Sequence, residues 1–157
     1  MLNSAASRVT VALFLCPFLF QGSPTQKFEG RWKGNNELNL PAILGGMIGP
    51  DFLMPVSRSG DTLVVSREYG GTPAPIAYKL DGSEADAMWL GKRAKTRLSW
   101  SGDALVLEIR SVANSQQSEK TVMTIDDGRL RANVTASTAD GKVFDFKIYF
   151  DRDRQLG

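Results

Sequence analysis

From Ser59 to Arg152 the chain alternates apolar and polar residues in short runs, and Gly-Asp or Asp-Gly pairs punctuate most of them. Ala94, Thr96, Leu98 and Trp100 oppose Lys95, Arg97 and Ser99. Leu105, Leu107 and Ile109 oppose Val106, Glu108 and Arg110. Leu130, Ala132, Val134 and Ala136 oppose Arg129, Arg131, Asn133 and Thr135, and Phe144, Phe146, Ile148 and Phe150 close the series. A period of two with one apolar side marks strands buried on one face only, the habit of antiparallel sheets. Asp81-Gly82, Asp126-Asp127-Gly128 and Asp140-Gly141 are hairpin signals. Further strands are read at Phe28–Trp32, Thr62–Arg67, Ile76–Leu80, Asp86–Leu90 and Thr121–Ile125. Tyr69 to Pro73 reads as a loose turn and Ala113 to Lys120 as a polar loop.

One stretch breaks the pattern. Asn35 to Leu53 is apolar without a period of two and holds Gly45, Gly46 and Gly49. A short helix around Pro41 to Met47 is expected there, limited by the Gly45-Gly46 pair. It is either a lid over a cavity or a buried connector. The fold class is therefore all-β: an antiparallel up-and-down meander of eight to ten strands. One short helix or irregular apolar segment follows the first strand. Closure into a barrel removes the exposed edges of so long a meander. Ser59-Gly60-Asp61-Thr62-Leu63 has an echo in Ser101-Gly102-Asp103-Ala104-Leu105, read as two similar turn-strand units of one sheet.

The first residues belong to no strand. Arg8 precedes an apolar run from Val9 to Phe20, and Gln21, Gly22 and Ser23 then restore polarity. This is the pattern of a secretory signal peptide. The run falls short of the roughly 20 apolar residues of a membrane-spanning helix. The expected organisation is a signal peptide over residues 1–23 and a single barrel domain over 24–157. The expected location is periplasmic or secreted. A retained anchor, and lipidation of Cys16 after Leu13-Phe14-Leu15, stay open as alternatives.

Composition narrows the chemistry. The 157 residues include no histidine and one cysteine, Cys16, which lies inside the leader. Loss of the leader leaves no thiolate, disulfide or imidazole, so Ser-His-Asp catalysis and His or Cys metal sites are excluded. The formal net charge is +2, with the basic residues spread along the chain. That balance calls for neither nucleic acid nor, after signal removal, a membrane surface. Acids at Asp81, Glu84 and Asp86, or at Asp126 and Asp127, do not spell a calcium loop and read as turn formers. A carboxylate pair for glycoside hydrolysis is the one acid-based mechanism left open. No cofactor, metal site or enzyme activity is expected.

Gly30-x-Trp32 on the first strand resembles the lipocalin and calycin signature, in which the tryptophan closes the base of the barrel. Gly60-Asp61-Thr62-Leu63, Tyr78-Lys79-Leu80-Asp81-Gly82 and Leu98-Ser99-Trp100-Ser101-Gly102-Asp103 resemble segments of small exported bacterial lipocalin-like proteins. The lipocalin Thr-Asp-Tyr motif is absent. The resemblance implies a barrel, an apolar ligand and an arginine near the C-terminus, here Arg152, covering the tryptophan. The apolar faces of the strands supply the candidate ligand-binding residues Tyr78, Leu98, Trp100, Leu107, Ile109, Met123, Phe144, Phe146 and Ile148, for each of which a place in a packed core is the alternative. The expected function is binding of a small apolar ligand inside the barrel. The competing expectation is an exported protein-interaction module, such as a hydrolase inhibitor.

Overall fold

The computed structural model describes residues 23–69 and 72–154. The leader, with Arg8 and Cys16, and the Gly70-Gly71 pair of the expected loose turn lie outside the described residues. A single 3-10 turn, Gln26–Phe28, leads into β1 (Gly30–Gly34), and α1 (Leu40–Leu44) follows it. Then come β2 (Leu53–Ser59), β3 (Thr62–Tyr69), β4 (Thr72–Lys79), β5 (Ala85–Trp89) and β6 (Lys92–Ser101). The chain continues through β7 (Ala104–Ser111), β8 (Ser118–Asp126), β9 (Arg129–Ser137) and β10 (Val143–Arg152).

These strands form one antiparallel sheet in the order β4-β3-β2-β1-β10-β9-β8-β7-β6-β5. Each strand pairs with its sequence neighbours, except that β1 pairs with β10 and β4 has no ladder with β5. The β1–β10 pairing, with Trp32 opposite Arg152 and Gly34 opposite Phe150, turns the meander into a barrel. The two edges meet at a seam, where β4 packs on β5 and β6 without a ladder. Thr96 Oγ1 donates to the Ala77 carbonyl across that seam at 2.7 Å. Pro73 and Pro75 both lie in β4, and proline, lacking an N–H, belongs on edge strands.

Strand β2 is not legible as a strand in the sequence, because Pro55 interrupts it and the stretch before it is irregular. Its Met54 and Val56 nevertheless alternate inward. Pro55 pairs with Arg31 of β1, and the ladder to β3 begins one residue later at Val56. The hairpins follow the turn chemistry. Asp127 and Gly128 both have positive φ, 50° and 75°, the signature of a type I′ turn whose twist matches its strands.

The barrel has two unlike ends. At one, Trp32 is fully buried and its indole Nε1 donates to the Phe28 carbonyl at 2.8 Å. The Arg152 guanidinium lies over the Trp32 ring, 4.2 Å from its centroid. It also donates to the carbonyls of Glu29 and Lys27, each at 2.7 Å. Gly30 is required there. Its φ is +131°, and a Cβ would stand 2.6 Å from Arg152 Nη1. The Gly-x-Trp motif thus has a physical reason: the glycine admits the arginine that seals the tryptophan. At the opposite end, α1 and residues 45–52 arch over the barrel.

Arg152→Ala removes a cation–π contact and two charge-assisted hydrogen bonds. It is expected to lower stability by about 2 kcal/mol in urea unfolding. Arg152→Lys recovers only part of this, because an ammonium does not reproduce the planar fork; wild-type stability in the alanine variant would refute the role.

Asp151 carries a pH dependence. The Arg129 guanidinium, and after it the Asn35 amide, hold its carboxyl below the usual range; the contacts are 2.8 Å each. A depressed folded-state value means stability that is present above the unfolded value near 3.9 and lost as pH falls through the folded one. The pair is half-exposed, so Asp151→Asn is expected to cost less than about 1 kcal/mol at neutral pH. That difference should vanish near pH 2, as read by chemical denaturation at both pH values.

Candidate functional site

The inner faces of the strands do not fill the barrel evenly. Around Trp32, Leu63, Leu98, Leu105 and Leu130 the core is packed and these side chains are buried. Toward the α1 end a cavity of about 240 Å³ remains. Its walls are Met54 of β2, Arg67 of β3, Glu119 and Thr121 of β8, Ala132 and Val134 of β9, and Phe146, Ile148 and Phe150 of β10. Gly46 to Gly49 and Phe52 roof it. Ala132 leaves volume where a larger side chain would stand. For scale, a 150 Å³ apolar cavity holds a benzene molecule, and drug-sized pockets start near 300 Å³.

The roof is anchored at its root. Asn39 is buried, its Nδ2 donates to the Tyr149 carbonyl at 2.9 Å, and its Oδ1 accepts from the Tyr149 N–H at 2.7 Å. The amide thereby copies a strand partner for β10. Helix α1 buries Ala42 but leaves Leu40 and Leu44 in solvent, with Leu44 78% exposed. Within this stretch residues 46–49 border the cavity, while Asn39 is buried as a connector would be. The exposed apolar side chains of Met47, Met88, Leu90, Val112 and Phe144 belong to the loops and strand ends around the same end.

An ion pair crosses the cavity. Arg67 of β3 and Glu119 of β8 come from opposite walls, and Arg67 Nη1 pairs with Glu119 Oε1. Their side chains are 13% and 12% exposed. Arg67 Nη2 donates to Thr121 Oγ1 at 3.0 Å, and Thr121 Oγ1 reaches Glu119 Oε1 at 3.4 Å. Arg67 follows Leu63 and Val65 in the inward phase, and Glu119 precedes Thr121 and Met123 in theirs. A charged pair this enclosed adds little net stability over an apolar replacement, yet loss of one partner strands the other charge.

The residues expected to line the interior divide three ways. Phe146 and Ile148 line the cavity. Tyr78, Leu98, Leu107, Ile109 and Met123 are buried in the packed core and do not line it. Trp100 and Phe144 lie outside the cavity lining and are 38% and 40% exposed. Both keep the inward phase, but each stands where its strand runs past the end of the barrel. The Trp100 ring leans on Phe28 instead, with centroids 6.0 Å apart. Sequence reading passed over Arg67, Glu119 and Thr121. The signal was their phase, two residues from buried apolar neighbours.

Asp81, Glu84 and Asp86 of the first acidic group are each engaged by neighbouring side chains or backbone. Asp81 accepts from the Ser83 hydroxyl at 2.6 Å and amide at 2.9 Å, which hold its carboxyl below the usual range. Asp86 pairs with Lys95 at 2.6 Å, and Glu84 lies 3.6 Å from both Arg97 and Arg110.

No family model and no curated protein matches the sequence. Solved structures do match the fold. Apo lipid binding protein 8 of Caenorhabditis elegans aligns with a TM-score of 0.60 at 14% identity, covering 81% of this chain and 96% of that one. Zebrafish ileal bile acid-binding protein, complexed with cholic acid, aligns at 0.56 and 19% identity, covering 81% and 99%. A secretory abundant heat soluble protein of Ramazzottius varieornatus aligns at 0.59 and 14%, covering 81% and 96%. The chain therefore has the ten-stranded antiparallel β-barrel fold of these structures.

Proposed function

We propose that this chain is an exported, non-catalytic barrel that binds a small, largely apolar ligand in the cavity beneath residues 46–49. The observation that carries the reading is the 240 Å³ space itself, walled by Met54, Val134, Phe146, Ile148 and Phe150 within an otherwise packed barrel. An apolar wall gains about 25 cal/mol for each Å² of apolar ligand surface it removes from water. The apolar side chains around the roofed end, Leu44 and Met47 among them, give an approaching apolar molecule a surface to meet before it enters. The fold supports the reading further, since barrels of this architecture include one named for lipid binding and one complexed with cholic acid.

Export rests on Arg8, the apolar run from Val9 to Phe20 and the polar residues after it. Cleavage near Ser23 is expected; N-terminal sequencing of the protein recovered from its producing cell checks it, and an intact leader on a cytoplasmic product refutes it. The same apolar end is what favours the second reading, an exported protein-interaction module such as a hydrolase inhibitor.

Filling the cavity separates the two readings. Ala132 is buried on the cavity wall, so Ala132→Phe occupies the space with a side chain at a cost of about 1–3 kcal/mol of strain. A neutral solvatochromic probe such as Nile red is expected to bind wild type saturably. Its affinity for the variant should fall about tenfold or more, a change of at least 1.4 kcal/mol. Equal affinity in both proteins, with the variant folded by circular dichroism, would mean the probe binds elsewhere and the cavity is not the site.

A further inference from the structure

The Arg67–Glu119 pair says which end a ligand presents to the cavity. We infer that the ligand carries an uncharged, hydrogen-donating polar end, a hydroxyl or primary amide on a compact apolar body, which docks on Glu119 beside Arg67. The inference rests on the binding reading above and specifies its ligand class.

The first ground is charge. Glu119 already compensates Arg67 inside the cavity, through the Nη1–Oε1 pair. A carboxylate ligand brings a second negative charge beside Glu119 into an enclosed space, and an ammonium ligand brings a second positive charge beside Arg67. Either must shed its hydration without an opposite charge to receive it, which is costly in a poorly solvated interior.

The second ground is hydrogen-bond capacity. Both contacts made by Glu119, from Arg67 and from Thr121, fall on Oε1. A carboxylate offers about four lone-pair sites on two oxygens, so Oε2 retains accepting capacity. Among the described residues the one sealed, unpartnered side-chain polar atom is Asn133 Oδ1. Oε2 of Glu119 is not among the sealed atoms, and its residue lines the cavity as well as a polar groove shared with Arg97 and Lys120. What fits an open acceptor in a charge-balanced site is a neutral O–H or N–H donor. A carboxylate has no hydrogen to give, and a plain hydrocarbon leaves Oε2 covered without a bond, a loss for any buried acceptor.

The geometry also explains why the polar end goes to this place. Elsewhere the cavity is walled by Met54, Ala132, Val134, Phe146, Ile148 and Phe150, whose side chains offer no donor and no acceptor stronger than the Met54 thioether. The apolar body then lies along β9 and β10, with its polar end at β8.

The test is displacement of Nile red from the full chain by a matched series: octanol, octanamide, octane, octanoate and octylammonium. Octanol and octanamide are expected to displace at concentrations about tenfold below octanoate and octylammonium, and below octane. Glu119→Gln removes the compensating charge, so octanoate should gain on octanol by about tenfold or more. Should that variant fail to fold, Arg67→Met with Glu119→Leu serves. Joint replacement of an enclosed pair by apolar residues is commonly neutral or stabilising, and here it should erase the preference for octanol over octane. Octanoate matching or beating octanol on wild type overturns the inference, as does an octanol preference that survives the double replacement. In those cases probe binding stands, and with it the broader reading; absence of any saturable binding to wild type removes both.

Discussion

Pairing of the first strand with the last is the constraint on which the rest of this barrel depends. Without β1 beside β10, the meander is an open sheet with an apolar face and no interior. Their short ladder places Trp32 opposite Arg152, and the contact does two things at once. It brings the guanidinium over the indole and onto two carbonyls of the entering chain. It also fixes the register that sets Gly34 opposite Phe150 and carries α1 to the far end. The sealed base and the roofed cavity are consequences of one pairing seen at its two ends.

Inside, the two halves are built by different rules. Near the base, large side chains meet from all walls and leave no space. Near the roof, Ala132 and the glycines at 46 and 49 withhold volume, while Arg67 and Glu119 bring polarity to an apolar room. A barrel selected only for stability would fill that room, since voids and enclosed charges both work against it. Their joint presence is what sets this half apart from the packed base, and it is the ground of the binding proposal.

Much of this was legible along the chain. Period-two alternation and Asp-Gly turns read correctly for most strands because short hairpins make sheet structure a local property. Gly30, Trp32 and Arg152 were legible as a motif, though only the register shows why the glycine is needed. Strand β2 was hidden by Pro55, which the sheet tolerates because its ladder to β3 begins at Val56. Glu119 was hidden because it sits in a polar stretch that reads as loop, whereas β8 begins at Ser118. The partner of Arg67 was unreadable in principle: the two residues are 52 positions apart and meet only across a closed barrel. Which inward residues pack and which line the cavity is likewise not written in alternation. Phe144 and Phe146 share a phase, and depth alone separates a solvent-exposed ring from a cavity wall.

The seam between β4 and β5 has a consequence beyond the ligand. Any sheet edge is a template on which another copy of the chain can add a strand, the first step toward fibrous assembly. This barrel has two such edges and turns them toward each other, so each shields its neighbour. Should the seam part, β4 offers a poor template, because Pro73 and Pro75 interrupt its row of donors. The break in the ladder can thus be kept without offering a neighbouring chain an easy strand to pair with.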